Sequence, residues 1–346
     1  MAQGLTQFIA RLVRREDLSR DEAEQLLESL LDAEATDAQI AAALVALAAK
    51  GETVDELTGM ASGLRARAVR LHASHSCFID TAGTGSSPAK TFNISTAAAF
   101  VIAGAGLPVA KHGNRAASSK SGSADLLTAL GVNVSAIPSV SENSLNEIGI
   151  CFMFAPLYHG ATARVAAIRR ELGVHTTFNI LGPLTNPAGA PRQIIGVWNP
   201  ELLEPMAQTL ALLGSEKAWV VHGTDGLDEI TLADRTLVAE TDSGRVRTFE
   251  LTPADFGMTR TDVSSLRCDD AETSAQLVRA VLAAERRDEA RGLVVVNAAA
   301  ALMVGGVAND LREGVRLAEH SIDSGKAIAK LDELIQATNV ARVGAE

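Results

Sequence analysis

Between Leu5 and about Leu71, apolar residues recur three and four positions apart, the spacing that puts side chains on one face of a helix. Three hydroxyl residues are each followed three positions later by Glu or Gln: Ser19 with Glu22, Thr36 with Gln39, and Thr53 with Glu56. Each pair is a capping-box signature, so the region predicts several short helices packed as a bundle. The run from Ala38 to Ala48 is apolar around nearly its whole circumference. Such a helix needs cover on two sides, one of which another subunit could supply. Beyond Ala73 the pattern changes. Short β-branched runs (CFIDTAG, LPVAK, GICFMFA, QIIGVW, KAWVVHG, LVVVNAA) alternate with alanine- and leucine-rich stretches. That alternation predicts an α/β domain with a mainly parallel central sheet flanked by helices. The segment from Ala163 to Gly189 is longer than a simple crossover needs and is expected to return to the helical domain. RVRTFELTPADFGM reads as an edge strand followed by a turn, and the chain ends in helices over 310–323 and 326–338. The resulting division is a helical, dimerising domain over 1–72 with the return at about 163–189, and an α/β catalytic domain over 73–162 and 190–346.

A length of 346 residues exceeds the usual single core, in keeping with two unequal domains. The chain is 47% hydrophobic and 21% charged, and no apolar run reaches the roughly 20 residues that span a membrane. Its first residues mix apolar and charged positions at helical spacing instead of forming an export signal. Cys77, Cys151 and Cys268 are isolated, without the C-x-x-C spacing of a zinc site or a disulfide framework. A cytoplasmic protein is the expectation. A net charge of −11 and only 3% aromatic residues argue against nucleic acid and anionic lipid as partners, so any anionic ligand must be held by local chemistry.

Three polar clusters each follow a predicted strand. In the first, Asp80 to Gly85 form a glycine turn, and Asn93, Ser95 and Thr96 precede an alanine-rich helix. Glycines let backbone N–H groups approach a phosphate, and a helix N-terminus adds donors and a favourable dipole. Read alone, the same residues equally describe a βα loop and ordinary helix caps. In the second, Lys111-His112-Gly113-Asn114-Arg115 is followed by SSKSGSAD (118–125), which gathers cations, an imidazole, an amide and serines where α/β sheets bind ligands. In the third, His222 to Glu229 offers the adjacent carboxylates Asp228 and Glu229. Magnesium commonly bridges such carboxylates to substrate phosphates, although a polar turn with Asp228 as a cap fits equally when the cluster is read in isolation.

Taken in order, GTG…TFNISTAAAF, VAKHGNRAASSKSGSADLLTALGV, APLYH, TTFNILGPLTNPA and HGTDGLDEI resemble the anthranilate phosphoribosyltransferase family over nearly the whole chain. The resemblance implies an enzyme of tryptophan biosynthesis. It would transfer the phosphoribosyl group of 5-phosphoribosyl 1-pyrophosphate (PRPP) to the amine of anthranilate, and would be a homodimer joined through its N-terminal helices. It further implies that Gly83, Thr84, Ser86, Ser87, Thr91, Asn93, Ser95, Thr96, Lys111, Ser119 and Ser123 surround PRPP. Ser95, Asp228 and Glu229 would hold magnesium, two ions per site, and Lys111, Asp228 and Glu229 would carry the catalytic charge. Gly83, His112, Asn114, His159 and Arg169 would line the anthranilate site, with Arg169 binding the carboxylate. Two departures stand out. The family's GTGGDG is interrupted after Gly85 by Ser86, Ser87 and Pro88, which removes an acidic residue and a glycine; Ser86, Ser87 and Lys90 are expected to hold pyrophosphate differently. Gly160 and Thr162 replace a family proline and methionine after His159. Rival readings are a pyrimidine nucleoside phosphorylase-like enzyme and a non-catalytic nucleic-acid-binding relative.

Overall fold

The structure, a computed structural model, describes residues 4–85, 87, 89, 91–115, 122–268 and 270–340. Four helices open the chain: α1 (Thr6–Val13), α2 (Arg20–Leu31), α3 (Asp37–Lys50) and α4 (Val54–Arg67). All three capping boxes form, with the side chains of Ser19, Thr36 and Thr53 accepting from the backbone N–H three residues on. Glu56 does more than cap. Fully buried, it accepts from the Leu18 N–H at 2.9 Å and from Lys50 Nζ at 2.9 Å, so one carboxylate ties the entry to α2, the end of α3 and the start of α4. Gly59 lets α4 lie directly on α2, since a Cβ there would meet the Arg20 carbonyl at 2.1 Å.

The rest of the chain continues as β1 (Ile79–Gly83), α5 (Ile94–Gly104), β2 (Val109–Gly113), α6 (Ser123–Ala129), α7 (Pro138–Ile148), β3 (Ile150–Phe154) and α8 (Ala155–Tyr158). It then runs through α9 (Ala163–Leu172), α10 (Thr177–Leu184), β4 (Arg192–Gly196), α11 (Leu203–Leu212) and β5 (Lys217–Gly223). Last come β6 (Thr236–Asp242), β7 (Arg245–Leu251), α12 (Ala271–Leu282), α13 (Glu289–Val304), α14 (Leu311–Asp323) and α15 (Lys326–Val340). Among the described residues, one sheet has the order β3-β2-β1-β4-β5-β6-β7. It is parallel from β3 to β5 and antiparallel from β5 to β7.

After β1 the chain winds outward through β2 and β3, then returns to the other side of β1 with β4. The carboxyl ends of β1 and β4 therefore flank the point where strand order reverses, the position at which open α/β sheets bind ligands. One face of the sheet is covered by α5, α13 and their neighbours in the largest core. The other shares a core with the bundle: Ile195, Val197, Ala218 and Val220 join Leu26, Leu44 and Leu57. Val165 and Ile168 of α9 and Phe178 and Leu181 of α10 belong to that second core.

LVVVNAA is not a strand. Residues 293–299 lie inside α13, capped by the Asp288 side chain on the Ala290 N–H. Val294, Val295 and Val296 are all buried, so the helix is apolar around its circumference and its β-branched run imitates a buried strand.

Candidate active site

Gly83 and Gly196 end their strands side by side. The Gly196 carbonyl accepts from the Thr84 N–H at 2.9 Å and from Thr84 Oγ1 at 3.1 Å, and Thr84 Oγ1 in turn accepts from the Trp198 N–H at 3.3 Å. A Cβ on Gly196 would lie 1.7 Å from the Asp228 carbonyl oxygen, and one on Gly83 would lie 3.7 Å from Asp228 Oδ2. The missing side chain of Gly196 lets the loop after β5 close over the neighbouring ends of β1 and β4. Asp225 builds that loop from inside, accepting from Thr231 Oγ1 at 2.6 Å and from the Leu227 N–H at 3.3 Å. Ser87 Oγ donates to the Gly226 carbonyl at 2.7 Å, joining the first cluster to the third.

Asp228 and Glu229 are thus half-buried side by side against the N-terminus of α5, where Glu229 Oε1 accepts from the Ser95 N–H at 3.1 Å. Burial and then the charge of Asp228 push Glu229 up to about 8, with Lys111 and Ser95 pulling the other way. Burial also raises Asp228. Two crowded carboxylates beside a serine hydroxyl form a hard oxygen donor set, and a divalent cation would relieve their repulsion, so the residues fit magnesium. Lys111 is not a loop-tip cation. It is buried on β2, donating to the carbonyl and hydroxyl of Thr81, and burial lowers its pKa while Asp80 and Glu229 oppose that shift. Around this centre, Asn93 and Ser274 pair at 2.9 Å, Thr96 is buried in the first turn of α5, and Thr91 bridges to Arg267. Ser123 opens α6 with its hydroxyl on the Asn114 carbonyl at 3.4 Å. Ser86, Ser119 and Lys90 lie outside the described residues.

A second set of groups stands next to the first. His112 Nδ1 lies 3.2 Å from the Gly182 carbonyl, which assigns the proton to Nδ1 and leaves Nε2 an acceptor. Burial holds His112 down at about 3, so the ring is neutral. His112 Nε2 and His159 Nε2 are both buried with no hydrogen-bond partner among the described residues, their rings 5.2 Å apart. Arg169 donates from Nη2 to Asn179 Oδ1 at 3.0 Å, lies over the Phe178 ring at 5.7 Å, and keeps a buried Nε with no partner among the described residues. Asn179 and Gly182 are one turn apart on α10, which therefore serves both the arginine and the imidazole. Asn114 directs Oδ1 to the Arg115 N–H at 2.8 Å, and Arg115 is paired with Asp125 at 2.8 Å.

Sequence reasoning assigned no role to Asp80 or Asn186. Asp80 is fully buried and pushed up to about 6 by burial; its carboxylate accepts from the His112 N–H at 3.1 Å and from Asn186 Nδ2 at 2.7 Å. Together they hold the end of β2 that carries Lys111 and His112. Both residues lie inside segments already singled out, DTAGTG and the NPA turn, but their pairing across 106 positions leaves no local signal.

Comparison with known proteins supplies a family for this geometry. Residues 6–68 match the description "Glycosyl transferase family, helical bundle domain" and residues 75–328 match "Glycosyl transferase family, a/b domain". The anthranilate phosphoribosyltransferase of Moorella thermoacetica is 50% identical over 327 residues, 94% of this chain and 96% of that one. The chain belongs to the anthranilate phosphoribosyltransferase family. The crystal structure of the Thermus thermophilus member is 39% identical, with a TM-score of 0.90 over 96% of this chain and 99% of that one. The Saccharomyces cerevisiae member, solved in complex with PRPP and Mg, is 26% identical with a TM-score of 0.87, covering 97% of this chain and 98% of that one. In this chain the loop after β5 brings the paired carboxylates to the reversal point between β1 and β4, and α10 carries the contacts of His112 and Arg169.

Proposed function

We propose that this family member transfers the phosphoribosyl group of PRPP to the amine of anthranilate, releasing pyrophosphate. The observation that carries the reading is the Asp228–Glu229 pair facing Ser95 and the buried Lys111, with the neutral His112 on the strand that bears Lys111. Asp228, Glu229 and Ser95 would hold magnesium, two ions per site, and magnesium would supply charge neutralisation for the pyrophosphate leaving group. Gly83, Thr84, Ser87, Thr91, Asn93, Thr96 and Ser123 would surround the donor, and Ser86 and Ser119 would join them in binding it. The backbone donors at the start of α5 face its phosphates. A ribosyl centre losing a good leaving group becomes oxocarbenium-like, so Lys111 works on the growing charge of the departing group.

The acceptor amine is neutral at physiological pH and needs no strong base before attack. His112 Nε2, an unfilled acceptor, takes a proton once the new C–N bond has formed. Arg169 receives the acceptor carboxylate through a charge-assisted hydrogen bond, with His159, Asn114 and Gly83 around the ring. Ser87, tied to the loop that carries Asp228, replaces part of the lost GTGGDG loop, and Ser86 and Lys90 would act with it on the pyrophosphate.

The division into a helical domain over 1–72 with 163–189, and a catalytic domain over the remainder, fits closure of one substrate's residues on the other's. A homodimer through the N-terminal helices is supported by an apolar face on α1 and α3, where Val13 and Val45 are 69% and 42% exposed. Among the described residues no helix is long and apolar enough to cross a membrane, and a cytoplasmic location accompanies the biosynthetic role. The test is product analysis of two mixtures, PRPP with magnesium and anthranilate, and ribose 1-phosphate with uracil. The proposal expects a phosphoribosyl adduct of anthranilate from the first alone; uridine and phosphate from the second would favour the phosphorylase-like reading, and a salt-sensitive gel shift without turnover the nucleic-acid-binding one.

A further inference from the structure

The donor and acceptor half-sites sit on different parts of the chain, and one aromatic contact at the carboxyl end of a central strand spans them. His175, in the turn between α9 and α10, stacks on Trp198, just beyond β4, with ring centroids 4.5 Å apart and planes inclined at 33°. Each partner is joined directly to one half-site. On the donor side, the Trp198 N–H donates to Thr84 Oγ1, and Thr84 is bonded through both its N–H and its hydroxyl to Gly196. On the acceptor side, His175 precedes Thr176, the N-cap of α10, whose N–H donates to Asn179 Oδ1 at 3.0 Å. That same Asn179 oxygen accepts from Arg169 at 3.0 Å. A shift of the turn therefore moves Asn179 and Arg169 together. The far end of α10 has its own anchors, the His112 contact to Gly182 and the Gln193 bond to the Pro183 carbonyl. The near end is held by Thr177 on Glu52 within the helical layer, and by the stack toward the sheet.

We propose that His175 and Trp198 form a clasp that sets the acceptor-binding turn against the donor loop, which makes them positioning residues for Arg169. This rests on the functional reading above. An aromatic pair is worth about two- to tenfold in an equilibrium beyond its buried area, and loss of pre-organisation in Arg169 falls on acceptor binding. His175→Ala is expected to raise the anthranilate KM by about that factor, with the PRPP KM and Tm close to wild type, and His175→Phe, which can still stack, is expected to restore it. The chain has two tryptophans and Trp219 is fully buried, so emission changes on substitution report Trp198. His175→Ala should shift that emission with no substrate present. An unchanged anthranilate KM overturns the clasp, as does a parallel rise in both KM values with a lowered Tm, the mark of a merely structural contact. If the wild type makes no adduct, the functional reading fails by itself. The clasp is then judged on emission, and identical Trp198 spectra in wild type and His175→Ala sink it.

Discussion

Gly196→Ala tests whether close approach of backbones, rather than any side-chain contact, builds the site. The added methyl carbon would lie 1.7 Å from the Asp228 carbonyl oxygen and 2.7 Å from its carbon. Neither neighbour is a flexible side chain, so the loop must retreat by roughly 1.5 Å to restore ordinary contact. Overpacking of this kind costs about 1–3 kcal/mol, and a misplacement of about 1 Å in a positioned group costs on the order of a hundredfold in rate. Asp228 and Glu229 move with the loop, so the rate should fall by about that factor, accompanied by a weaker response to magnesium and a Tm lower by a few degrees. Gly83→Ala is the contrasting variant: its methyl would meet Gly196 O at 3.6 Å and Asp228 Oδ2 at 3.7 Å, ordinary contacts, so the fold tolerates it while the donor space is reduced. Initial rates at saturating PRPP, magnesium titrations and thermal melts of the two variants measure these effects. A Gly196→Ala protein with wild-type kcat/KM and magnesium response would refute the reasoning.

The carboxylate pair also sets a pH dependence. Glu229 is raised from the ordinary carboxylate range to about 8, so the folded metal-free protein holds that proton more tightly than the unfolded chain. Its contribution to stability is complete below the unfolded value near 4.5 and is lost as pH rises through about 8. Melts in chelator should therefore fall across that window, magnesium should reverse the fall at the alkaline end, and Glu229→Gln should flatten it; a slope unaffected by Glu229→Gln would exclude this origin. Arg169→Ala removes a charge-assisted hydrogen bond, worth about ten- to hundredfold, and should appear in the anthranilate KM with the PRPP KM little changed. Equal effects on both substrates would remove Arg169 from the acceptor site.

What could be read from the sequence was local or repeated. Capping boxes are complete within four residues, and Ser19, Thr36 and Thr53 all start helices where the spacing places them. The glycine turn and the paired carboxylates were visible because each follows a strand, and a parallel sheet gathers the carboxyl ends of its strands at one edge. LVVVNAA misled because a helix buried on all sides has no polar face to reveal its period. Arg169 followed from resemblance alone, since on α9 it has the spacing of a surface charge and its half-burial comes from Phe178 and Asn179 on the next helix. Asp80 with Asn186 and His175 with Trp198 were illegible for a different reason. Their partners are distant in sequence, and only the sheet order brings them together.

The most direct measurement is loss of anthranilate fluorescence on addition of PRPP, with and without magnesium. The account predicts a loss that requires both PRPP and magnesium and disappears in Glu229→Gln. Folded protein that leaves the fluorescence unchanged with both present, or consumes anthranilate equally well in chelator, would contradict it.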